Sequence, residues 1–241
     1  MAEGQKKKAF DASIKRVLRD YAEALLFAVI IAIILRIFFI SSYKIPTSSM
    51  TPTLRVGDFI IAYKWPFGFH VPFSSEPNLG FQMPHRGDVI VFVCPDSPSS
   101  RCIKRVVGLP GDRVQIVKKN LFINNRKAEY ARAPDQDLSD FEVTKPYAIV
   151  YEKIDGRKYK ITIQNKRGLE DYGPIVVPPD HVFVLADSRD SSKDSRLWGP
   201  IPTQYLTGRA QRIWLSLDWS KTWKEGGLPS VRWSRFFRRI E

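Results

Sequence analysis

Apolar residues fall into two regimes along this chain. Residues 22–40, AEALLFAVIIAIILRIFFI, are apolar almost without interruption. As a helix this stretch would cover about 28 Å, close to the roughly 30 Å hydrocarbon core of a bilayer. Glu23 lies near its start, and Arg36 lies four residues from its end, where a long side chain can snorkel to the headgroups. From residue 58 onward the pattern changes to short runs: FIIAYKW, DVIVFV, IKRVVGL, DRVQIV, NLFIN, YAIVYEK, KYKITIQN, PIVV and HVFVLAD. They are rich in β-branched and aromatic residues and are separated by Pro, Gly, Asn and Asp, so each predicts a strand. No internal repeat at a fixed period is visible.

The fold class expected is therefore mainly β, with an N-terminal transmembrane helix followed by a β domain with an inserted accessory β region. The boundaries read from the pattern are a basic tail at 1–20, an anchor helix at 21–41 and a first part of the β domain at 42–123. An accessory β region follows at 124–172, then a second part of the β domain at 173–217 and a basic aromatic tail at 218–241. The basic flank carries Lys6, Lys7, Lys8, Lys15, Arg16 and Arg19. Placed inside, it puts everything after Ser41 outside the cytoplasm. A cleavable secretory signal shares the basic start and apolar middle, but no clean pair of small residues follows here. A buried core helix is the third reading. Ser49 follows Ile40 by nine residues, so a fully extended chain keeps it within about 30 Å of the helix exit.

Two further stretches have open readings. The aromatic, proline-rich residues 65–85 are too long for a simple connector; they form a lid on the sheet or an apolar surface dipped into lipid. The tail from Asp218 alternates Trp, Phe and Arg, which suits a membrane interface or a solvated helix docked on the domain.

Charge narrows the partners. A formal net charge of +13 over 241 residues favours an anionic surface, and nucleic acid is the usual first thought. The charges are spread, however, with the densest runs at the chain ends, so a phospholipid membrane is expected and nucleic acid is not. Cys94 and Cys102 flank CPDSPSSRC between two apolar runs. If those runs pair as a hairpin the thiols face each other, a disulfide candidate that implies an oxidising compartment; two reduced thiols are the alternative. The ligand spacing of a zinc site is absent.

The candidate chemistry sits in three stretches. Residues 45–58, IPTSSMTPTLRVGD, combine hydroxyls at Thr47, Ser48 and Ser49 with Pro46 and Pro52 and end in Gly57 and Asp58. Proline fixes its own φ and restricts the residue before it, so a stiff, extended loop is expected. A serine becomes a nucleophile only beside a base, and His70, His85 and His181 lack the setting of a triad member. Lys104, in RCIKRVVGLPGDRV, is the other base on offer. The third stretch, LADSRDSSKDSRLWG at 185–199, is dense in serine, aspartate and arginine.

In this order the three stretches resemble the signature boxes of bacterial type I signal peptidases, or leader peptidases. The lysine box IKRVVGLPGD is the nearest match. The last box departs at Ala186 and Ser188, where the family has glycine and asparagine, but keeps the spacing of Ser192, Asp194, Arg196 and Gly199. The resemblance implies that Ser49 attacks the peptide carbonyl and that Lys104 accepts its proton. It implies an oxyanion site at the Ser49 N–H and the Thr47 hydroxyl, leaves Ser48 a bystander, and has Ser192 hydrogen-bond and orient the lysine. Asp194 is expected to pair with Arg105 or Arg196. Ile45, Met50, Val91 and Ile103 would line shallow pockets for small side chains, accounting for cleavage after Ala-x-Ala-like sites; each is equally placed to be ordinary core.

No cofactor or metal is implied. The partners expected are preprotein signal peptides and lipid, near the secretion translocon, for a single-pass protein of the bacterial inner membrane with its catalytic domain on the periplasmic side. A lysine with a reference pKa near 10.4 is only about one part in a thousand neutral near pH 7.4. Desolvation by Cys102, Ile103, Val106 and Val107 is the lever expected to lower it. The rival readings are a peptidase of the same type dedicated to one secretion or conjugation component, and an inactive membrane scaffold that binds exported chains.

Overall fold

The computed structural model describes residues 2–69, 79–134, 147–164, 171–190, 192–219 and 227–241. It divides into two units, Met1–Ile40 and Ser41–Glu241. The first is one helix, α1 (Ala2–Ile34), continued by a single π-helical turn at Leu35–Phe39. Its segment Lys15–Phe39 is long and apolar enough to cross a membrane, with a mean hydropathy of 2.5 over its most apolar window. The helix extends back through the basic flank, where Arg19 and Glu23 pair one turn apart at 3.6 Å.

The second unit is mainly β. It begins with β1 (Ile40–Lys44), β2 (Asp58–Tyr63), β3 (Phe67–Phe69), β4 (Leu79–Phe81), β5 (Val89–Cys94) and β6 (Ser97–Gly108). Next come β7 (Arg113–Val117), β8 (Asn120–Ile123), β9 (Arg126–Lys127), β10 (Glu129–Arg132), β11 (Tyr147–Ile154) and β12 (Arg157–Gln164). The described chain ends with β13 (Tyr172–Val176), β14 (His181–Leu185), the short helix α2 (Ser195–Trp198), β15 (Ile201–Pro202), β16 (Leu206–Asp218), β17 (Ser230–Val231) and β18 (Arg238–Arg239). Every run expected to be a strand is one.

The longest strand, β16, was not among them. The main sheet runs β1-β2-β16-β5-β6-β14-β15, with β17 and β18 also paired to β16. Against β2 the register of β16 slips twice, between Ala210 and Arg212 and between Ile213 and Leu215. Each bulge inserts a residue and resets which face the next side chain meets. Buried positions therefore fall at Leu206, Gly208, Ala210, Ile213 and Ser216, and the alternation that marks a strand is lost.

β6 has two halves. β5 pairs with it from Ser97 to Arg105, with Ile90 opposite Lys104 and Val91 opposite Ile103. β14 covers its other edge only from Arg105 to Gly108. Lys104 thus stands one residue beyond the reach of β14, with β5 along its other edge. Beside the main sheet lie a three-stranded sheet, β10-β11-β12, and a four-stranded one, β13-β7-β8-β9. Both bury apolar residues, among them Leu121 and Ile161, against Phe183 and Leu185 of β14. Truncating a buried aromatic such as Phe183 to alanine would cost about 3–5 kcal/mol.

The tail, expected at a membrane interface or as a docked helix, is docked over residues 230–239 through two short strands rather than a helix, because β16 offers it a free edge: Val231 pairs with Leu217, and Arg238 and Arg239 pair with Ile213 and Arg212. Trp233 is still 73% exposed. Of the aromatic stretch at 65–85, residues 70–78 lie outside the described residues, as do 220–226 of the tail. On either side of the former, β3 and β4 pair and the Phe67 and Phe81 rings meet at 6.0 Å.

Candidate active site

The serine segment is tied off at its base. Ile45 N–H donates to Asp58 O at 2.8 Å and Gly57 N–H to Ile45 O at 3.0 Å. Gly57 has φ +88°, and a Cβ there would lie 2.0 Å from Leu217 O, so both the conformation and the space demand glycine. The segment is not extended as its prolines suggested: Thr51 N–H donates to Ser48 O and Leu54 N–H to Met50 O, folding it into turns. Burial decides this, since turning lets Met50 and Leu54, 1% and 0% exposed, reach the core. Ser49 is left half-buried at the rim, with Thr47 and Ser48 exposed.

Asp58 anchors that base. Its carboxylate accepts from Arg55 N–H at 2.8 Å and from the Ser216 hydroxyl at 2.6 Å, and Arg235 of the tail grips both its oxygens. Arg235 also donates to Thr53 O at 3.0 Å.

Lys104 comes to the serine from β6. Its Nζ donates to Ser49 Oγ at 2.9 Å and to Ile103 O at 3.1 Å; Thr47 Oγ1 lies 3.3 Å from Ser49 Oγ. With the amine neutral, the first contact reverses and the hydroxyl donates. Lys104 is only 5% exposed. Burial lowers its pKa from 10.5 to about 8, against the opposing pull of Asp194 and Asp187. At pH 7.4 about one amine in five is then neutral. Cys102 and Val106 share its face of the strand by alternation.

The third stretch is a turn and a capped helix. Ser188 N–H donates to Ser49 O at 3.0 Å, a direct tie between the two segments. Asp187 takes Arg105 Nε and Nη2, each at 2.7 Å, and Thr53 Oγ1 at 2.5 Å. Arg105 also donates to Gly87 O at 2.7 Å and stacks 4.0 Å from the centre of the Tyr159 ring. Asp194 pairs with Arg196, at 2.8 and 2.7 Å, accepts Ala186 N–H at 3.0 Å and caps α2. Of the two arginines expected for Asp194, only Arg196 is its partner; Arg105 went to Asp187 because the pairing of β6 with β14 sets Arg105 opposite Leu185.

Ser192 was expected to hydrogen-bond Lys104. Its Oγ is buried with no hydrogen-bond partner, and the lysine spends its donors on Ser49 and Ile103 instead. The four residues expected to line apolar pockets meet in one cluster; Ile45, Met50 and Val91 are buried, and Ile103 packs on them half-exposed. Cys94 and Cys102 form a disulfide across the β5–β6 hairpin.

Sequence reasoning missed Asp187, Arg189, Thr53, Asp58 as an ion-pair partner, Arg235, and Glu152 and Thr162 of the accessory sheet. Asp187 and Arg189 sit inside the third stretch among several acids and arginines, and no local feature ranks them. Taken together, a half-buried hydroxyl touching a desolvated amine has the geometry of a nucleophile and its base, and the Thr47 hydroxyl stands beside it.

A family model described as signal peptidase, peptidase S26, matches residues 18–215. A signal peptidase I of Pseudomonas fluorescens is 34% identical, over 83% of this chain and 73% of its own. One from Rickettsia typhi is 31% identical, over 94% and 95%. A crystallised signal peptidase I from Enterococcus faecalis V583 is 26% identical over 53% of this chain and 97% of its own, with a TM-score of 0.34.

Proposed function

This chain belongs to the signal peptidase family, peptidase S26, and from that membership we propose that it cuts signal peptides from preproteins through an acyl-enzyme on Ser49, with Lys104 as the general base. That it is a signal peptidase follows from the family; the residue roles, the cleavage preference and the anchoring are our reading. One observation carries the roles: the 2.9 Å contact of Lys104 Nζ with Ser49 Oγ, on an amine whose pKa is brought to about 8.

In the first step Ser49 Oγ attacks the scissile carbonyl carbon and its proton passes to Lys104 Nζ. The carbonyl oxygen gains the negative charge, and the Ser49 N–H and Thr47 hydroxyl are the donors assigned to it; one such donor is worth about 10²–10³ in rate. Collapse breaks the C–N bond, and the ammonium of Lys104 gives its proton to the departing amine. Neutral again, Lys104 takes a proton from water, whose oxygen attacks the ester carbon; the C–Oγ bond breaks and the ammonium returns that proton to Ser49 Oγ.

Ser192 is assigned to the lysine by family likeness and would turn its free hydroxyl to it in the working complex. Asp194, Arg105 and Arg196 support the walls. Ile103 is assigned to the substrate face, with Ile45, Met50 and Val91 as the floor beneath it, a shallow surface suited to Ala-x-Ala-like sites.

The helix Lys15–Phe39 fits a membrane-anchored protein. We take it as a single inner-membrane anchor with the basic flank in the cytoplasm and the catalytic unit outside, on the translocon side where preproteins emerge. The Cys94–Cys102 disulfide supports an oxidising compartment.

The test is a set of three proteins, wild type, Ser49→Ala and Lys104→Met, purified in detergent and incubated with a preprotein. Both variants are expected to leave the preprotein uncut. Equal processing by all three rejects the assignment.

A further inference from the structure

A buried cluster around Glu152 and Arg189 has no part in the reaction above. Glu152 of β11 is 0% exposed and Arg189 is 6% exposed. Arg189 Nη1 donates to Glu152 Oε2 at 2.8 Å and Nη2 to Oε1. The hydroxyls of Tyr130 and Tyr159 donate to the same carboxylate at 2.7 and 2.6 Å. Burial alone would raise the pKa of Glu152; the charge and hydrogen bonds of Arg189, helped by the two phenols, overcome it and hold the group below the usual carboxylate range.

From Arg189 the contacts lead straight to the reacting groups. Its Nε donates to Ala186 O at 3.1 Å, closing the turn of residues 186–189 on itself. The turn is stitched to the accessory sheet by Thr162 N–H to Asp187 O at 2.9 Å and Arg189 N–H to Thr162 O at 3.1 Å. On its far side Ser188 N–H holds Ser49 O, and Asp187 holds Arg105, the residue next to Lys104. One turn therefore sets the position of the serine and of the lysine strand together, and Glu152 sets the turn.

We propose that Glu152 is a positioning residue for the Ser49–Lys104 pair, acting through Arg189 and the 186–189 turn. This rests on the Ser/Lys reading above. A buried ion pair is a poor device for stability alone, because well-packed apolar residues usually serve as well. What a saturated, directional carboxylate supplies is one orientation for the guanidinium and so for the turn it closes. The accessory sheet is then part of the catalytic apparatus without touching substrate.

The experiment uses the full chain in detergent with a preprotein substrate. It measures kcat, KM and the pH dependence of kcat/KM for wild type, E152Q, R189M and the E152Q/R189M double variant, beside S49A and K104M. E152Q is expected to lower kcat about 10- to 100-fold, the cost of a misplaced reacting group, and to leave KM within about twofold, because no substrate contact is lost. Its acid limb moves to lower pH: the released Arg189 competes for Asp187, one of the two carboxylates holding the Lys104 pKa up. In the double variant that competitor is gone, so the limb returns while kcat stays as low as in R189M alone, the non-additivity expected of groups acting in series.

Wild-type kcat and limb in E152Q, with S49A and K104M inactive, overturn the proposal. So does a double variant with wild-type kcat, since charge balance alone would then have been the need. If E152Q fails to fold, the double variant, which carries neither charge, decides by the same criterion of low or wild-type kcat at unchanged KM. Processing by S49A would overturn the Ser/Lys reading itself, and the positioning role with it.

Discussion

Arg235 Nη2 and Nε close on Asp58 Oδ2 and Oδ1 at 2.5 and 3.1 Å, so a side chain from the end of the chain secures the segment that carries Ser49. Both groups are buried, at 2% and 0% exposed. Replacing Arg235 with methionine strands the Asp58 charge, a change that costs about 3–5 kcal/mol. For a chain of this length each kcal/mol lowers the melting temperature by about 2–4 °C. Thermal unfolding in detergent, followed by tryptophan fluorescence, should show the drop, and adding Asp58→Asn should recover part of it. A melting temperature equal to that of wild type would mean the pair does not hold the segment.

The pH profile follows from the amine. Protonated Lys104 cannot accept the serine proton, so kcat/KM should rise with pH through a limb near the lysine pKa of about 8. Initial rates on a preprotein between pH 6 and 10 measure it. A limb at the ordinary lysine value, or a flat profile where chemistry limits turnover, argues against Lys104 as the base.

The same shift makes the lysine a burden on stability. Below pH 8 the group is charged in both states, and the folded state bears the cost of burying it. The fall from 10.5 to about 8 corresponds to about 3 kcal/mol. Between these values the unfolded chain binds the extra proton, so stability rises with pH, and above 10.5 the cost is gone. Lys104→Met should therefore be inactive yet more stable at pH 7, by up to about 3 kcal/mol, with the gain shrinking from pH 8 and gone above 10.5. Urea midpoints at the two pH values test the sign.

The Cys94–Cys102 bridge closes a sequence separation of only 8, worth about 2.5 kcal/mol in the chain-entropy model. A Cys94→Ser/Cys102→Ser double variant should lose about that much in denaturant unfolding. It should keep its processing rate, because the ladder pairs Ile90 with Lys104 and Val91 with Ile103 without help from the sulfurs.

The strands built from β-branched and aromatic runs, and the three stretches holding Ser49, Lys104 and Asp194, were legible in the sequence because their signals are local. β16 was not, because two bulges scramble its period. The partner of Arg105 was not either: choosing Asp187 over Asp194 depends on the pairing of β14 with β6, a relation between residues far apart in the chain. Glu152 and Arg235 show the same limit. Each looks like one of many surface charges until a sheet partner buries it.

β16 stands between β2, which leads out of the serine segment, and β5, the partner of the lysine strand. A ribosome has released Ser49 and Lys104 long before residue 206 is made, yet their two strands have no common neighbour until then. The sheet that brings the two groups together is thus completed only once β16 has been made.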